Sequence, residues 1–321
     1  MTATRKSEAL RDESTTLDST AHIMNRITSQ LASQLSLVSI DGRRRPEPPA
    51  PGPVPEVAPA GRRLARSPAA SRAREVPPQA LVVVAHGSRD PRTLSTVRTL
   101  LDHVRELRPG LPVHLGHIEL NEPLLPDTLA SLGTGEAVLV PLLLSRGYHV
   151  KRDIPEMAAA SPARTRVAAP LGPHPLLVET LYARLVEAGW PTRMNEPTRR
   201  STAVVLAAAG SRDPEAAVDT RRTAHLLSER LGVPVVPAYA SAATPTVETA
   251  VRALAARGRH RVAVASYFTA PGLFATQSAE AAPWTASAPL GTHPAMVRLI
   301  LHRYDQSLAT ATTTEPALAS A

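Results

Sequence analysis

The pentapeptide Gly-Ser-Arg-Asp-Pro occurs twice, at residues 87–91 and 210–214, each time just after an apolar run. The first run is Leu81-Val82-Val83-Val84-Ala85, followed by His86; the second covers Thr202–Ala208, followed by Ala209. Continuous apolar runs of this length, rich in β-branched residues, read as strands buried on both faces. The Gly-Ser pair then breaks the strand, Asp caps a helix and Pro suits its first turn. A second anchor repeats as well: Leu171-Gly172-Pro173-His174-Pro175 and Leu290-Gly291-Thr292-His293-Pro294. The lags are 123 residues between Gly87 and Gly210, 122 between Pro123 and Pro245, and 119 between Gly172 and Gly291. Two anchors at a nearly constant lag mark a duplicated domain.

Within the first copy, strands are predicted at 81–85, 112–118, 137–144 and 165–168. Helices are predicted from Pro91 onward and at 123–132, 154–160 and 175–188. Leu94, Val97, Leu101, Val104 and Leu107 form the apolar face of the first helix. Strands alternating with helices imply a parallel, doubly wound sheet. The fold class is therefore α/β, with two similar doubly wound parallel-sheet lobes. The expected divisions are a tail over 1–79, a first lobe over 80–190, a linker over 191–201, a second lobe over 202–308 and a tail over 309–321. Both tails are expected to be disordered. Ten of the chain's 32 prolines fall between Pro46 and Pro78, and such a composition cannot bury enough apolar surface to offset its ordering entropy.

The formal charge of +8 invites a nucleic-acid reading, but residues 1–79 carry 12 Lys and Arg against 8 Asp and Glu, half of that excess. Aromatic residues make up 3% of the chain, too few for base-stacking platforms, so no nucleic-acid partner is expected. The chain has no cysteine, which excludes disulfides, thiolate metal sites and cysteine nucleophiles. Any metal must be held by His and carboxylates. No apolar run reaches the length of a membrane span, so the expectation is a soluble, cytoplasmic protein without a membrane partner. Phosphate loops, dinucleotide fingerprints and nucleophile elbows are missing from the motifs.

The duplication is an internal control. His86 corresponds to Ala209, Glu119 to Ser241 and His149 to Phe274. Turn residues recur in both copies, whereas all three candidate ligands occur in the first alone. Residues shared by both copies are expected to serve the fold, and those unique to one copy the chemistry. Two imidazoles and a carboxylate suit a borderline divalent metal, and the imidazoles can also accept protons. Arg89, Arg146, Lys151 and Arg152 place positive charge around them, as a polyanionic ligand would require. His174 and His293 recur at helix starts and are read as structural.

The stretch Val83-Val84-Ala85-His86-Gly87-Ser88-Arg89-Asp90-Pro91, with residues 140–150 and Asp153-Ile154-Pro155, resembles the sirohydrochlorin chelatases of the CbiX/SirB type. The resemblance spans about residues 80–308 and implies ATP-independent insertion of ferrous iron or cobalt into sirohydrochlorin. Iron is favoured, because the His-rich or cysteine-containing segments of some cobalt-specific members do not occur. It implies His86 and His149 as metal-binding and proton-accepting residues, with Glu119 as a further ligand. Ser88, Arg89, Asn121, Leu144, Ser145, Arg146, Gly147 and Tyr148 would border the macrocycle. It implies no cofactor beyond the substrate metal (Fe2+ or Co2+), no partner beyond sirohydrochlorin and that metal, and a monomer. A carrier that binds the tetrapyrrole or metal without turnover is the alternative.

Overall fold

The computed structural model describes residues 79–314. The tail expected over 1–79 lies outside the described residues except for Gln79, as do residues 315–321.

The first half runs β1 (Ala80–Ala85), α1 (Pro91–Leu107), β2 (Val113–His117), α2 (Leu125–Ser131), β3 (Glu136–Pro141), a π-helical turn (His149–Asp153), α3 (Ile154–Ala159), β4 (Arg164–Val167) and α4 (Pro175–Glu187). A short α5 (Glu196–Ser201) leads into the second half. There follow β5 (Thr202–Ala208), α6 (Pro214–Leu231), β6 (Val235–Tyr239), α7 (Val247–Ala255), β7 (Arg261–Tyr267), α8 (Leu273–Glu280), β8 (Thr285–Ala286) and α9 (Pro294–Thr314). Each half builds one four-stranded parallel sheet, ordered β2-β1-β3-β4 and β6-β5-β7-β8. In both, the chain moves to one side of the first strand and returns on the other. This creates the switch point at which doubly wound sheets bind their ligands.

The predicted caps form. Asp90 and Asp213 accept from the backbone N–H two residues on, with Pro91 and Pro214 at the first helical position. His174 and His293 do likewise, their Nδ1 accepting from Leu176 N at 3.1 Å and Ala295 N at 3.2 Å. Their structural role follows from these bonds. Burial, with Arg303 and His302 beside it, holds the His174 imidazole down to about 4; burial likewise lowers His293.

Each sheet has two covered faces. Val82, Val84 and Leu139 pack on Leu125, Leu129 and Ile154 on the outer side of the first sheet. Leu81, Val83, Val138 and Val140 turn inward and share one continuous core with Val204, Leu206, Ala263 and Ala265 of the second sheet. Helices α1, α4, α6 and α9 form the layer between. Two of them are exchanged. The last helix of the first half, α4, packs on β7 and α6 of the second, and α9 packs on β3 and α1 of the first. The Tyr304 hydroxyl of α9 donates to Gln79 O at the start of β1, and Arg108 at the end of α1 pairs with Asp305 at 2.9 Å. At ~25 cal/mol per Å2 of apolar surface, burying Leu177, Leu181, Leu185, Leu299 and Ile300 in the shared core contributes about 2 kcal/mol each.

One boundary and one face assignment differ from the sequence reading. Helix α9 continues past Leu308 to Thr314, so residues 309–314, expected to lie in the tail, are helical. A helix already nucleated and anchored by Leu301 and Tyr304 propagates cheaply through an Ala-Thr run. Leu107, assigned to the apolar face of α1, is 57% exposed; Leu100 takes the buried place instead, since α1 meets its neighbours through Val97, Leu100, Leu101 and Val104.

Candidate functional site

The ladder between β1 and β2 extends one step beyond the named strands. Ile118 N donates to Ala85 O and Glu119 N to His86 O, at 2.9 and 3.0 Å. This fixes Glu119 opposite His86, with its Oε1 3.6 Å from His86 Nδ1. Gly87 makes the turn possible. It has φ +108°, and a Cβ there would sit 1.8 Å from Glu119 O, so no other residue fits. The second half repeats the geometry: Ser241 N donates to Ala209 O at 2.9 Å, and a Cβ on Gly210 would sit 1.8 Å from Ser241 O. The alignment of His86 with Ala209 and Glu119 with Ser241 therefore holds in three dimensions.

His149 arrives from the other side of the switch point. After β3 the chain runs through Leu142–Tyr148 and enters the π-helical turn, closed by Ile154 N donating to His149 O. The ring centroids of His86 and His149 lie 4.7 Å apart with planes at 88°. Both side chains are half-exposed. His149 Nδ1 lies 2.5 Å from Asp153 Oδ2. His149 Nδ1 is thus hydrogen-bonded to a carboxylate, whereas His86 Nδ1 meets Gly87 O at 3.3 Å and has the Glu119 carboxylate as a neighbouring charge. Among the described residues no group of three or more His, Asp and Glu is arranged to hold a metal ion. Glu119 stands beside His86, and what faces outward is a pair of imidazoles.

The remaining candidates divide into two groups. Asn121 Oδ1 accepts from Ser88 N at 2.7 Å, and the Ser88 hydroxyl accepts from Asp90 N, so both brace the β1 turn. Leu144 O accepts from the Tyr267 hydroxyl, a phenol that burial keeps neutral. Arg146 binds Asp219 of α6 through Nε and Nη2, and Asp219 is 2% exposed. Lys151 reaches Asp213 and Glu215 of the same helix start, holding Asp213 below the usual carboxylate range. These cations tie the site loop to the second half. Arg89 and Arg152, close in sequence to His86 and His149, are exposed. Ser145 and Gly147 lie along the loop, with a Cβ on Gly147 3.5 Å from Ser211 Oγ, and Tyr148 is 64% exposed. His117, which shares strand parity with Glu119, is buried and bonded to Pro123 O.

The sequence reading assigned no role to Asp153 or Asp219. Both left a signal: Asp153 lies four residues after His149, and Asp219 lies on the buried stripe of α6 with Ala216, Thr220 and Thr223.

Residues 80–188 and 203–307 each match the model of the CbiX family. The chain belongs to the CbiX family. Among its relatives is a sirohydrochlorin cobaltochelatase of Methanopyrus kandleri, 31% identical over 137 residues, which cover 34% of this chain and 96% of that protein. A sirohydrochlorin ferrochelatase of Bacillus subtilis is 30% identical over 177 residues, covering 52% of this chain and 65% of that protein. The fold is shared with the solved structure of SirB from Bacillus subtilis with Fe3+: TM-score 0.61, 24% identity, 74% of this chain and 98% of that one. DR2241 from Deinococcus radiodurans, described as having structural similarity to chelatases, gives a TM-score of 0.56 at 20% identity, over 71% of this chain and 55% of that one. The family match in both halves agrees with the duplication read from the sequence. Among the described residues no helix is long and apolar enough to cross a membrane.

Proposed function

We infer that this protein inserts a divalent metal, ferrous iron or cobalt, into sirohydrochlorin, with His86 and His149 as the working residues. The observation that carries the reading is their edge-to-face pairing at the switch point of the first sheet, in a chain both of whose halves match the family. Metallation must strip water from a divalent ion and remove two protons from pyrrole nitrogens. A neutral imidazole does either through one ring nitrogen: its lone pair binds the ion, or it takes a proton. Nδ1 of His149 is taken by Asp153 and Nδ1 of His86 faces the Gly87 carbonyl at 3.3 Å, which leaves each Nε2 as the nitrogen available to substrate. Two nitrogen ligands hold an ion more loosely than a closed four-ligand cage does, which suits an ion that must be passed on.

Glu119 adds negative charge beside His86, favouring the approach of the cation. Arg89 and Arg152 oppose the substrate's carboxylates, while Tyr148 offers apolar surface to the macrocycle. The activity needs neither ATP nor a cofactor beyond the substrate metal. We take the protein to act in the cytoplasm as a monomer, one chain supplying both lobes. Incubating the protein with sirohydrochlorin and Fe2+, Co2+ or Ni2+ side by side tests the reading. Multiple turnovers with iron or cobalt are expected. A signal that stops at one equivalent per chain would identify a carrier instead.

A further inference from the structure

We propose that Asp153 is a positioning residue that fixes the ring of His149, keeping the proton on Nδ1 and the lone pair on Nε2. The inference rests on the functional reading above for its purpose, but three structural observations carry it. Asp153 Oδ2 lies 2.5 Å from His149 Nδ1, so a neutral His149 donates its N–H to the carboxylate. A carboxylate accepts and never donates, so only the Nδ1–H tautomer satisfies the contact.

The backbone is also shaped for the pair. The π-helical turn covers His149–Asp153 and nothing more, with Val150 N and Lys151 N both donating to Gly147 O. Single π turns inside helices occur often at functional sites. In the second half the corresponding segment is α8, where Thr276 N donates to Gly272 O in ordinary helical spacing.

Finally, the pair vanishes as a unit. Leu171 N donates to Leu143 O and Leu290 N to Phe268 O, setting the lag here at 125 residues on the β3 and β7 side. Phe274 then stands at the place of His149, and Ser278 at that of Asp153. Ser278 is buried and its hydroxyl has no hydrogen-bond partner. An aspartate kept for helix packing alone would have no reason to disappear with the histidine. Among the described residues Asp153 pairs with no Lys or Arg, and Lys151 is engaged with Asp213 and Glu215 across the interface.

The test uses the full chain labelled with 15N-histidine, at pH 8, with the His149 signals assigned from His149→Ala. Ring 15N shifts distinguish protonated from bare nitrogens. The wild type should show His149 with its proton on Nδ1. Asp153→Asn keeps the shape but allows an amide N–H to point at Nδ1, so the population should move toward the Nε2–H form. Affinity for Co2+ alone should fall 10–100-fold, the usual effect of removing such a partner. A wild-type His149 protonated on Nε2 would overturn the proposal. So would an Asp153→Asn protein with an unchanged tautomer and Co2+ affinity within twofold of wild type. No sirohydrochlorin is used, so failure of the metallation assay would count against the functional reading and leave this result to stand by itself.

Discussion

At the carboxyl end of β1 stand His86 and Glu119; at the same place on β5 stand Ala209 and Ser241. After β3 come His149 and Asp153, and after β7 come Phe274 and Ser278. At the turns after β1 and β5 the backbone is the same, down to glycines 87 and 210 and the residues Leu120 and Ala242, all with positive φ. After β3 and β7 it differs, a π-helical turn in the first half and ordinary helix in the second. The comparison separates two kinds of requirement. Strands, caps and tight turns are retained in both halves because the fold needs them twice. The imidazoles and their neighbouring carboxylates occur once, as the proposed function requires of groups that do the chemistry. The second half still does structural work: it supplies Asp213, Glu215 and Asp219 to hold the site loop, and α4 and α9 are traded across the interface.

The largest expected effect bears on the histidines. His86→Ala and His149→Ala should each reduce metal insertion to near background, and the double variant should be no worse. Two ligands to one ion act as a unit and their losses do not add. Circular dichroism should remain that of the wild type, because both side chains are half-exposed. If His149→Ala keeps most of its rate at saturating metal, the histidines do not share an ion.

The glycines come next, and they break the comparison in the other direction. Gly87→Ala and Gly210→Ala each drive a methyl group into a carbonyl oxygen 1.8 Å away, so each should cost roughly 3 kcal/mol or more in denaturant unfolding. Similar losses in both would show that the turn serves the fold. A loss of activity with full stability in Gly210→Ala would show instead that the second half takes part in the chemistry.

A smaller effect concerns pH. His174 in the folded protein is held to about 4, mainly by burial, whereas an unfolded imidazole titrates near 6.5. Between those values the unfolded chain binds a proton that the folded one does not. Stability should therefore fall as pH drops from 6.5 toward 4, lowering Tm by a few degrees, with no further loss from this group below 4. His174→Asn, which can still cap α4, should flatten that slope. An unchanged slope would place the acid sensitivity elsewhere, with His293 the next group to examine, since burial lowers it too.

Much of this architecture was legible in local sequence. Apolar runs, Asp-Pro caps and the repeated pentapeptide locate the strands, the helix starts and the duplication, since each depends on neighbours a few residues away. The helix exchange was not legible. The apolar stripe of Leu177, Leu181 and Leu185 says that α4 is buried, but not against which of two equally apolar sheets. Arg146 shows a similar limit: sequence gives its charge, but its commitment to Asp219 depends on the packing of α6 across the interface. The internal comparison did find His86, Glu119 and His149, and extended by four residues it also reaches Asp153. What it lacked was the π-helical turn that brings the last pair together.

The central claim is that metal chemistry belongs to the first half alone. Titrating the full chain with Co2+ and following its d–d absorption addresses this directly, without the macrocycle. The account predicts one site per chain, abolished in His86→Ala and in His149→Ala and unaffected by Ser241→Ala or Phe274→Ala. A second site of comparable affinity, or a stoichiometry unchanged in both histidine variants, would contradict it.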